Sequence, residues 1–490
     1  MKSSTAKIFK LFQQGFAYSL GNFFNKFLLF LMIPLYAEFI LPSDLSLLEI
    51  LDPLEQFVYG VLNLGMVHAF YRYYEVDGEP DYQRKVISTL FWFLSLMAII
   101  VCIIFAVFAD TLVELILPAH SLAKTCFLLT LASLFIRYFS LSASGYLNKT
   151  EQATKYSIWN IAGTFLFCSY NFYFLAIEHQ QIDAVFEARI LSMLPVTIAG
   201  IWSFRRVLAF TFDFKMLKHM LKFSYPFILS AASYPILTYV DRWMLSKLAS
   251  PKATGIYGMS YRFGMIPGMI LVQPFLKAWR PFIHNYNDRE TQQVVYKRIL
   301  LYYGLIGCML WIGLSVLSYE IIVLFTSKAY FAGNIIIPYV ASSQLLYGLG
   351  WIVIAGLAVQ DKTFFIGFCT FLAGILNVIL NYYWIPIFGI LGAAYATLVS
   401  FLGIFLGYAI YSYRQLPLSW PYSRLIAMVV ISIGTYYVSS FISVDNFWVQ
   451  IIYKLLSTLP ALIILTFLAG LNPWKLSNIG SHLTNGFKDK

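Results

Sequence analysis

Residues 86–109 read VISTLFWFLSLMAIIVCIIFAVFA, a continuous stretch without a charged side chain. A helix of this length reaches about 36 Å at about 1.5 Å per residue, enough to cross a hydrocarbon core about 30 Å thick. Arg84 and Lys85 come directly before the stretch, and Asp110 follows it. The stretch therefore predicts a membrane-spanning helix that starts beside a basic loop.

The composition of the whole chain agrees with this stretch. Its 490 residues are 60% hydrophobic and 12% charged, and the mean hydropathy is +0.72. A soluble chain of this length has no interior large enough to bury so much apolar surface. The composition therefore predicts an all-α polytopic membrane protein.

Similar apolar stretches recur to the C-terminus, separated by charged or turn-rich breaks. Together they predict about fourteen transmembrane helices. The predicted spans are residues 11–36, 46–71, 86–109, 122–145, 154–177, 182–204, 223–248, 254–280, 296–318, 334–360, 363–384, 388–411, 422–441 and 449–470.

The basic residues predict the orientation of these spans. Of the 34 Lys and Arg residues, 24 fall on the side that carries the N-terminus. Five fall on the opposite side, namely Lys124, Lys247, Lys252, Lys328 and Lys454. Since cytoplasmic loops carry an excess of basic residues, we expect both termini in the cytoplasm. The net charge of +11 follows from this bias and indicates contact with membrane lipids, not with nucleic acid.

The loops are too short to fold as separate domains, but residues 205–222 divide the chain. This segment mixes basic and apolar residues, which predicts a short helix in the cytoplasmic interface. A basic connecting loop with no other task is an equally open interpretation. We predict a six-helix bundle in 1–204, a second in 223–414, and two extra transmembrane helices with a cytoplasmic tail in 415–490.

The first span carries polar side chains on one face. Tyr18, Asn22, Asn25 and Lys26 project within an arc of about 100°, and Lys26 lies near the bilayer midplane. A charge inside a span is costly unless it faces a partner or a wet cavity. We therefore treat these four residues as candidates for binding a substrate. Helix–helix hydrogen bonding is the alternative for the two asparagines.

The second span carries three acids, Glu49, Asp52 and Glu55, on one face. Carboxylates at this spacing repel one another unless a cation or a proton joins them. Pairing with Lys26 and binding of a proton or cation are both compatible with the pattern. In the alternative interpretation, the span begins near Gln56 and the acids lie in an external loop.

Three arginines lie within other predicted spans. Arg137 falls in the fourth span, while Asp241 with Arg242 in the seventh and Arg262 in the eighth lie at similar depth. An Asp241–Arg262 ion pair is one interpretation of the latter group. Glu187 and Arg189, early in the sixth span, are further candidates or interfacial snorkelling residues.

The basic residues within these spans predict a common role. Lys26, Arg137, Arg242 and Arg262 together can line a positively charged chamber. Such a chamber suits phosphate oxygens, because a guanidinium group binds them in a bidentate manner.

Four stretches carry a resemblance to a known family. They are residues 60–74 (GVLNLGMVHAFYRYY), 241–245 (DRWML), 255–262 (GIYGMSYR) and 279–282 (WRPF). In this order they resemble the polysaccharide transporter, or oligosaccharide flippase, branch of the multidrug/oligosaccharidyl-lipid/polysaccharide exporter superfamily. The resemblance covers roughly residues 8–411.

The resemblance implies two six-helix bundles that form a V around a central cavity. It also implies a flippase in a bacterial cytoplasmic membrane that moves polyprenyl-diphosphate-linked oligosaccharide to the outer leaflet by alternating access. Lys26, Arg137, Arg242 and Arg262 are then candidates for contacting the diphosphate. Other polysaccharide-assembly proteins are possible partners in this setting.

No cofactor is expected, and the energy source is open. When a diphosphate with about two negative charges moves to the outer side of an inside-negative membrane, the potential lowers its free energy by about 4–5 kcal/mol per 100 mV. Coupling to a proton or sodium through Glu49, Asp52, Glu55 or Asp241 is the other possibility.

Two other classes of protein remain as alternatives. A multidrug/cation antiporter of the same superfamily needs an acidic central cavity. A membrane enzyme that modifies polysaccharide is expected to show a large external loop or an intramembrane histidine site. Since the sequence has no such loop, nucleotide-binding loop or nucleophile constellation, we do not predict an enzyme.

Overall fold

A computed structural model describes residues 24–76, 78–150, 152–225, 238–283, 289–354, 363–415 and 419–471. The regular structure of these residues is helical, and no β-strand occurs among them. The prediction of an all-α protein is confirmed. The chain divides into two compact units, Met1–Gly255 and Ile256–Lys490.

The first unit contains the helices that carry most of the candidate site. They are α1 (24–39), α2 (Pro42–Leu62), α3 (Met66–Tyr73), α4 (Pro80–Val107), α5 (Ala109–Ile116), α6 (Ala123–Lys149), α7 (Ala153–Phe172), α8 (Asp183–Phe204), α9 (Phe214–Ser224) and α10 (238–248). Helix α7 continues into a π-helical turn, Tyr173–Ile177. Helix α11 (Pro251–Gly264) begins in this unit and runs into the second.

The second unit continues the helical pattern. Its further helices are α12 (Gln273–Phe282), α13 (Arg289–Val316), α14 (Ser318–Phe325), α15 (Ile337–Val353), α16 (Thr363–Phe388), α17 (Ile390–Gln415), α18 (Tyr422–Ser440) and α19 (Phe447–Leu468). A π-helical turn, Gly268–Val272, precedes α12, and a 3₁₀ helix, Lys328–Ile336, precedes α15.

Ten helices in the described part of the chain are long and apolar enough to cross a membrane. Their bounds are Pro80–Val107, Ala123–Lys149, Thr154–Ile177, Asp183–Phe204, Gln292–Val316, Lys328–Val353, Phe365–Phe388, Ile390–Arg414, Tyr422–Ser440 and Phe447–Leu468. Each overlaps one of the predicted spans. The predicted spans 11–36, 223–248 and 334–360 extend beyond the described residues, and the predicted span 254–280 consists of α11, a π-helical turn and α12. The total of fourteen stays a prediction.

The predicted span 46–71 is two helices in the structure. Helix α2 ends at Leu62 and α3 begins at Met66. Between them, Leu64 and Gly65 have φ angles of 52° and 67°, in the left-handed region. Glycine adopts this region readily, whereas leucine does so only when its surroundings hold it there. The break therefore lies inside the stretch 60–74 that carries the family resemblance.

Aromatic side chains fill the core of the first unit. Phe70, Phe91, Tyr138 and Phe204 are buried where α3, α4, α6 and α8 pack together, and Met220 adds the inner face of α9. Aromatic burial of this kind holds long apolar helices in a fixed arrangement.

The two C-terminal helices pack within the second unit. Met428 of α18 and Leu465 of α19 are buried in one cluster with Leu300 and Tyr303 of α13. An ideal Cβ atom on Gly304 would lie 2.7 Å from Cδ2 of Leu425, so α13 and α18 approach closely at this glycine. The two helices predicted in 415–490 are therefore part of a shared core.

Candidate functional site

Helix α2 presents three acids to the interior of the first unit. Glu49, Asp52 and Glu55 recur every three residues, a spacing that keeps side chains on one side of a helix. Glu49 and Glu55 are buried, with 6% and 4% of the residue exposed. The acids lie in a helix and not in a loop, because α2 is helical from Pro42 to Leu62. Whether the membrane span begins near Gln56 stays a prediction.

Glu55 receives hydrogen bonds on both carboxylate oxygens. Arg137 of α6 lies 3.1 Å from Oε1, and Arg189 of α8 lies 2.9 Å from Oε2. The hydroxyl of Ser133 also donates to Oε2 at 3.2 Å. Since an unpaired buried carboxylate is costly, these contacts explain how Glu55 is tolerated inside a membrane protein.

Arg189 connects two of the three acids. Its NH1 atom bonds Glu55, and its NH2 atom bonds Asp52. The side chain is only 15% exposed, and its guanidinium group lies 5.5 Å from the ring centre of Phe186. The interpretation of Arg189 as a snorkelling residue is therefore wrong. Its place early in the span suggested the interface, but the fold turns it towards α2.

Glu49, the remaining acid of α2, pairs with an arginine that is distant in the sequence. Nε of Arg242, on α10, donates to Oε2 of Glu49 at 3.1 Å. NH1 of Arg242 also donates to Oδ1 of Asp241 at 3.3 Å and to the carbonyl oxygen of Thr238 at 3.0 Å. The side chains of Arg242, Glu49 and Asp241 are exposed by 6%, 7% and 0%. This group is enclosed.

These contacts define two groups of ion pairs along one side of α2, which together we call the ion-pair network. Its members are Glu49, Asp52, Glu55, Asp241, Arg137, Arg189 and Arg242. Within it, Arg137 and Arg189 contact Glu55, Arg189 also contacts Asp52, and Arg242 contacts Glu49 and Asp241. The predicted positive charge of Arg137 and Arg242 is thus balanced by the acids that were predicted as a separate coupling site.

Two members of the network are accessible. The side chains of Arg137 and Asp52 are 32% and 33% exposed, far more than those of Glu55 or Arg242. The guanidinium group of Arg137 lies 4.0 Å from the ring centre of Tyr59, which can hold it by a cation–π contact. An exposed arginine inside a membrane protein requires water or a polar group beside it. Arg137 and Asp52 therefore mark the accessible end of the network.

The other predicted site residues are not among the members named above. Tyr18 and Asn22 lie outside the described residues. Asn25 and Lys26 are half-buried on α1, and the Oδ1 atom of Asn25 is buried without a hydrogen-bond partner in the described part of the chain. Arg262 is half-buried on α11, in the second unit. Their predicted contact with a diphosphate stays a prediction.

A metal centre is not evident in the residues that the structure describes. Within these ranges, no three His, Cys, Asp or Glu side chains are grouped closely enough to hold an ion. The site therefore consists of charged side chains supplied by α2, α6, α8 and α10.

The fold is that of membrane transporters. A structure described as the lipid II flippase MurJ in an inward closed conformation superposes with a TM-score of 0.75 at 19% identity, covering 92% of this chain and 98% of that one. An inward-facing multidrug resistance transporter of the MATE family has a TM-score of 0.67 at 14% identity, covering 80% and 94%. The MATE multidrug transporter DinF-BH has a TM-score of 0.57 at 17% identity, covering 83% and 95%.

The family follows from the sequence itself. The model of the family described as polysaccharide biosynthesis protein matches residues 11–287, more than half of the chain. This chain therefore belongs to that family, as the resemblance in the sequence indicated. No curated protein sequence matches it significantly. It is a multi-pass membrane protein with the fold of flippases and transporters.

Proposed function

We propose that this protein moves polyprenyl-diphosphate-linked oligosaccharide from the cytoplasmic to the outer leaflet of a bacterial cytoplasmic membrane, by alternating access, for surface polysaccharide biosynthesis. The observation that carries the proposal is the combination of two findings. The family is one of polysaccharide biosynthesis, and the fold is shared with a lipid II flippase over 92% of the chain. Fourteen spans in two six-helix bundles, with both termini cytoplasmic, belong to this proposal.

The ion-pair network supports the choice of a diphosphate as the transported group. Arg137 is accessible and contacts a carboxylate, Glu55, through one nitrogen at 3.1 Å. A guanidinium group has five donors, so Arg137 retains capacity for a phosphate oxygen. In the proposal, the diphosphate binds first at Arg137, and Lys26 and Arg262 supply further positive charge.

The charge of the network makes substrate binding depend on protons. The carboxylates of the network repel a diphosphate, and protonation of one of them removes one negative charge. Asp52 is the accessible acid of the network, so it is the first candidate. In the proposal, proton uptake by the network therefore accompanies binding of the diphosphate.

Gene disruption with complementation tests the proposal. A strain that lacks the protein is expected to accumulate lipid-linked oligosaccharide on the cytoplasmic face and to lose the surface glycan. The wild-type gene restores export, whereas Arg137→Gln reduces it at least tenfold. Arg84→Gln is the matched control, because Arg84 is half-exposed and pairs with an exposed acid, Asp81, at 3.6 Å. A normal surface glycan without accumulation overturns the proposal.

A second candidate is a multidrug or cation antiporter. The accessible carboxylate of Asp52 favours it, since a cation is attracted to such a group. Dye efflux from cells that overproduce the protein separates the two functions. We expect efflux equal to that of cells without the protein. Efflux that disappears in Asp52→Asn, with no effect on the surface glycan, would favour the antiporter.

A further inference from the structure

The segment formed by α9 and the connection that precedes it is strongly basic. From Trp202 to Tyr225 the chain contains five Lys and Arg residues and one acid, Asp213. It lies on the side predicted to be cytoplasmic. The sequence left open whether this segment is an interfacial helix or only a connecting loop. The structure describes all of it, so the two interpretations can be compared.

The apolar face of α9 is used within the protein. Leu217, Met220 and Ser224 are buried. Met220 and Leu217 belong to the core that also contains Phe70 of α3 and Phe91 of α4. An amphipathic helix usually inserts its apolar face into the bilayer. Here that face is occupied by α3 and α4, so a contact with the membrane has to use other residues.

The opposite face of α9 is basic and exposed. Lys215, Lys218 and Lys222 are all exposed. At about 100° per residue they project within an arc of about 60°. Charged side chains on one arc present a single positive surface.

The connection that leads into α9 is held against α4. The backbone N–H of Ala209 donates to Oγ of Ser88 at 2.9 Å, and Nε1 of Trp92 donates to the carbonyl oxygen of Ala209 at 2.9 Å. The N–H of Asp213 donates to Oγ1 of Thr89 at 3.1 Å. These three hydrogen bonds hold the residues from Ala209 to Asp213 in one orientation against α4. A loop that only connects two helices does not require them.

Two phenylalanines in this connection are left uncovered. Phe210 is 95% exposed and Phe214 is 77% exposed, although Phe210 stacks on Trp92 with ring centres 5.2 Å apart. Nearby, the guanidinium group of Arg205 lies 3.5 Å from the ring centre of Trp202, which is 65% exposed. Exposed aromatic rings beside basic residues are typical of the membrane–water interface.

We propose that this surface, formed by Arg205, Phe210, Phe214, Lys215, Lys218 and Lys222 and called here the linker surface, binds the headgroups of anionic phospholipids. The three lysines contact the phosphates, and the two phenylalanines insert at the level of the headgroups. Charge complementarity selects anionic over zwitterionic lipid, at about fivefold per lysine near the surface. The proposal is independent of the transported substrate.

Hydrogen–deuterium exchange of the full chain in lipid nanodiscs tests the proposal. We expect the amides of residues 205–224 to exchange more slowly in discs that contain phosphatidylglycerol than in discs of phosphatidylcholine alone. The triple variant Lys215→Gln, Lys218→Gln, Lys222→Gln removes this difference, and so does high salt in the wild type. Phe210→Ser with Phe214→Ser raises exchange in both kinds of disc.

A matched triple variant is the control. Lys124→Gln, Lys252→Gln and Lys328→Gln remove three exposed lysines that lie elsewhere, and this variant keeps the difference between the lipids. Equal thermal unfolding of the two triple variants shows that folding is not the cause. Identical exchange in the two lipids for the wild type overturns the proposal, and so does a difference that persists in Lys215→Gln, Lys218→Gln, Lys222→Gln. Identical exchange would favour a protein partner as the occupant, whereas a persistent difference would assign the lipid effect to other residues.

Discussion

The Nε atom of Arg242 lies 3.1 Å from Oε2 of Glu49, although 193 positions separate the two residues along the chain. Both side chains are more than nine-tenths buried, and Asp241, the second acid bonded to Arg242, is fully buried. One guanidinium group therefore compensates two carboxylates where α2 and α10 meet.

Removing this arginine takes away the guanidinium group that both of these buried acids contact. We expect Arg242→Met to lower the free energy of unfolding by about 3–5 kcal/mol, since breaking one side of a buried pair costs that much. Adding Glu49→Gln to Arg242→Met restores part of the loss, because one of the two acids is then neutral. Thermal unfolding in detergent measures both effects. Equal stability of all three proteins would contradict the ion pairs.

Arg137 and Arg189 share Glu55 but differ in exposure, so their variants separate function from stability. We expect Arg189→Gln to cost about 3–5 kcal/mol, because Arg189 is enclosed and bonds two acids. Arg137→Gln costs about 1 kcal/mol or less, since Arg137 is partly exposed. Arg137→Gln nevertheless loses oligosaccharide export. The comparison uses thermal unfolding beside surface glycan analysis, and full export in Arg137→Gln would remove Arg137 from the substrate site.

A buried pair fixes the C-terminal helix α19 within the second unit. Nζ of Lys454 lies 2.5 Å from Oε1 of Glu320, and Nε2 of Gln450 donates to the same oxygen at 2.7 Å. Lys454 was counted with the loops, but it lies on α19 and is only 8% exposed. We expect Lys454→Met to lower the free energy of unfolding by about 3–5 kcal/mol.

The double variant Glu320→Gln, Lys454→Met loses less than Lys454→Met alone, because no unpaired carboxylate remains. Lys328→Gln removes an exposed lysine that follows Glu320 closely in the sequence, and it serves as the control. Thermal unfolding compares the four proteins. If Lys454→Met unfolds at the same temperature as Lys328→Gln, the pair does not stabilise α19.

Gly255 allows the start of α11 to approach α2. An ideal Cβ atom on Gly255 would lie 1.8 Å from the carbonyl oxygen of Pro42, and a backbone atom has little freedom to move away. We expect Gly255→Ala to reduce the yield of folded protein strongly. Gly434→Ala is the control, since a Cβ atom built there meets no described atom within 4 Å outside its own helix backbone, and alanine favours a helix. Size-exclusion chromatography of both variants checks the prediction.

Asp213 makes the start of α9 sensitive to acid. The N–H of Met216, then that of Lys215, lowers the pKa of Asp213 below its usual value, and the charges of Lys85 and Lys215 add to this. Because the pKa is lower in the folded state, the stabilisation is complete above the unfolded value of about 3.9. It is lost as the pH falls through the folded value.

We therefore expect the amides of α9 to lose protection from hydrogen exchange in acid, after correction for intrinsic rates. Asp213→Asn keeps an acceptor for the two N–H groups and removes this pH dependence. A wild-type response to acid that matches Asp213→Asn would show that the carboxylate is not responsible.

The membrane class and most of the spans were predictable because they depend on local properties. The length and hydropathy of a stretch such as 86–109 predict a helix that the structure places at Pro80–Val107. The break at Leu64 and Gly65 was not predicted, since both residues fit an apolar helix and only their φ angles reveal the turn. The burial of Arg189 was missed for a similar reason, because its depth in the span says nothing about the direction in which the fold turns it.

By itself, the sequence determined that this chain is a helical membrane protein, that it belongs to a polysaccharide biosynthesis family, and that Glu49, Asp52, Glu55, Arg137 and Arg242 are candidates. Only the tertiary structure decided which charges meet. The partners Arg137–Glu55, Arg189–Glu55 and Arg242–Glu49 are separated by 82, 134 and 193 positions. Hydropathy acts over one helix, whereas an ion pair depends on how helices distant in the chain are packed, and so a separate basic chamber and acidic coupling site became one network.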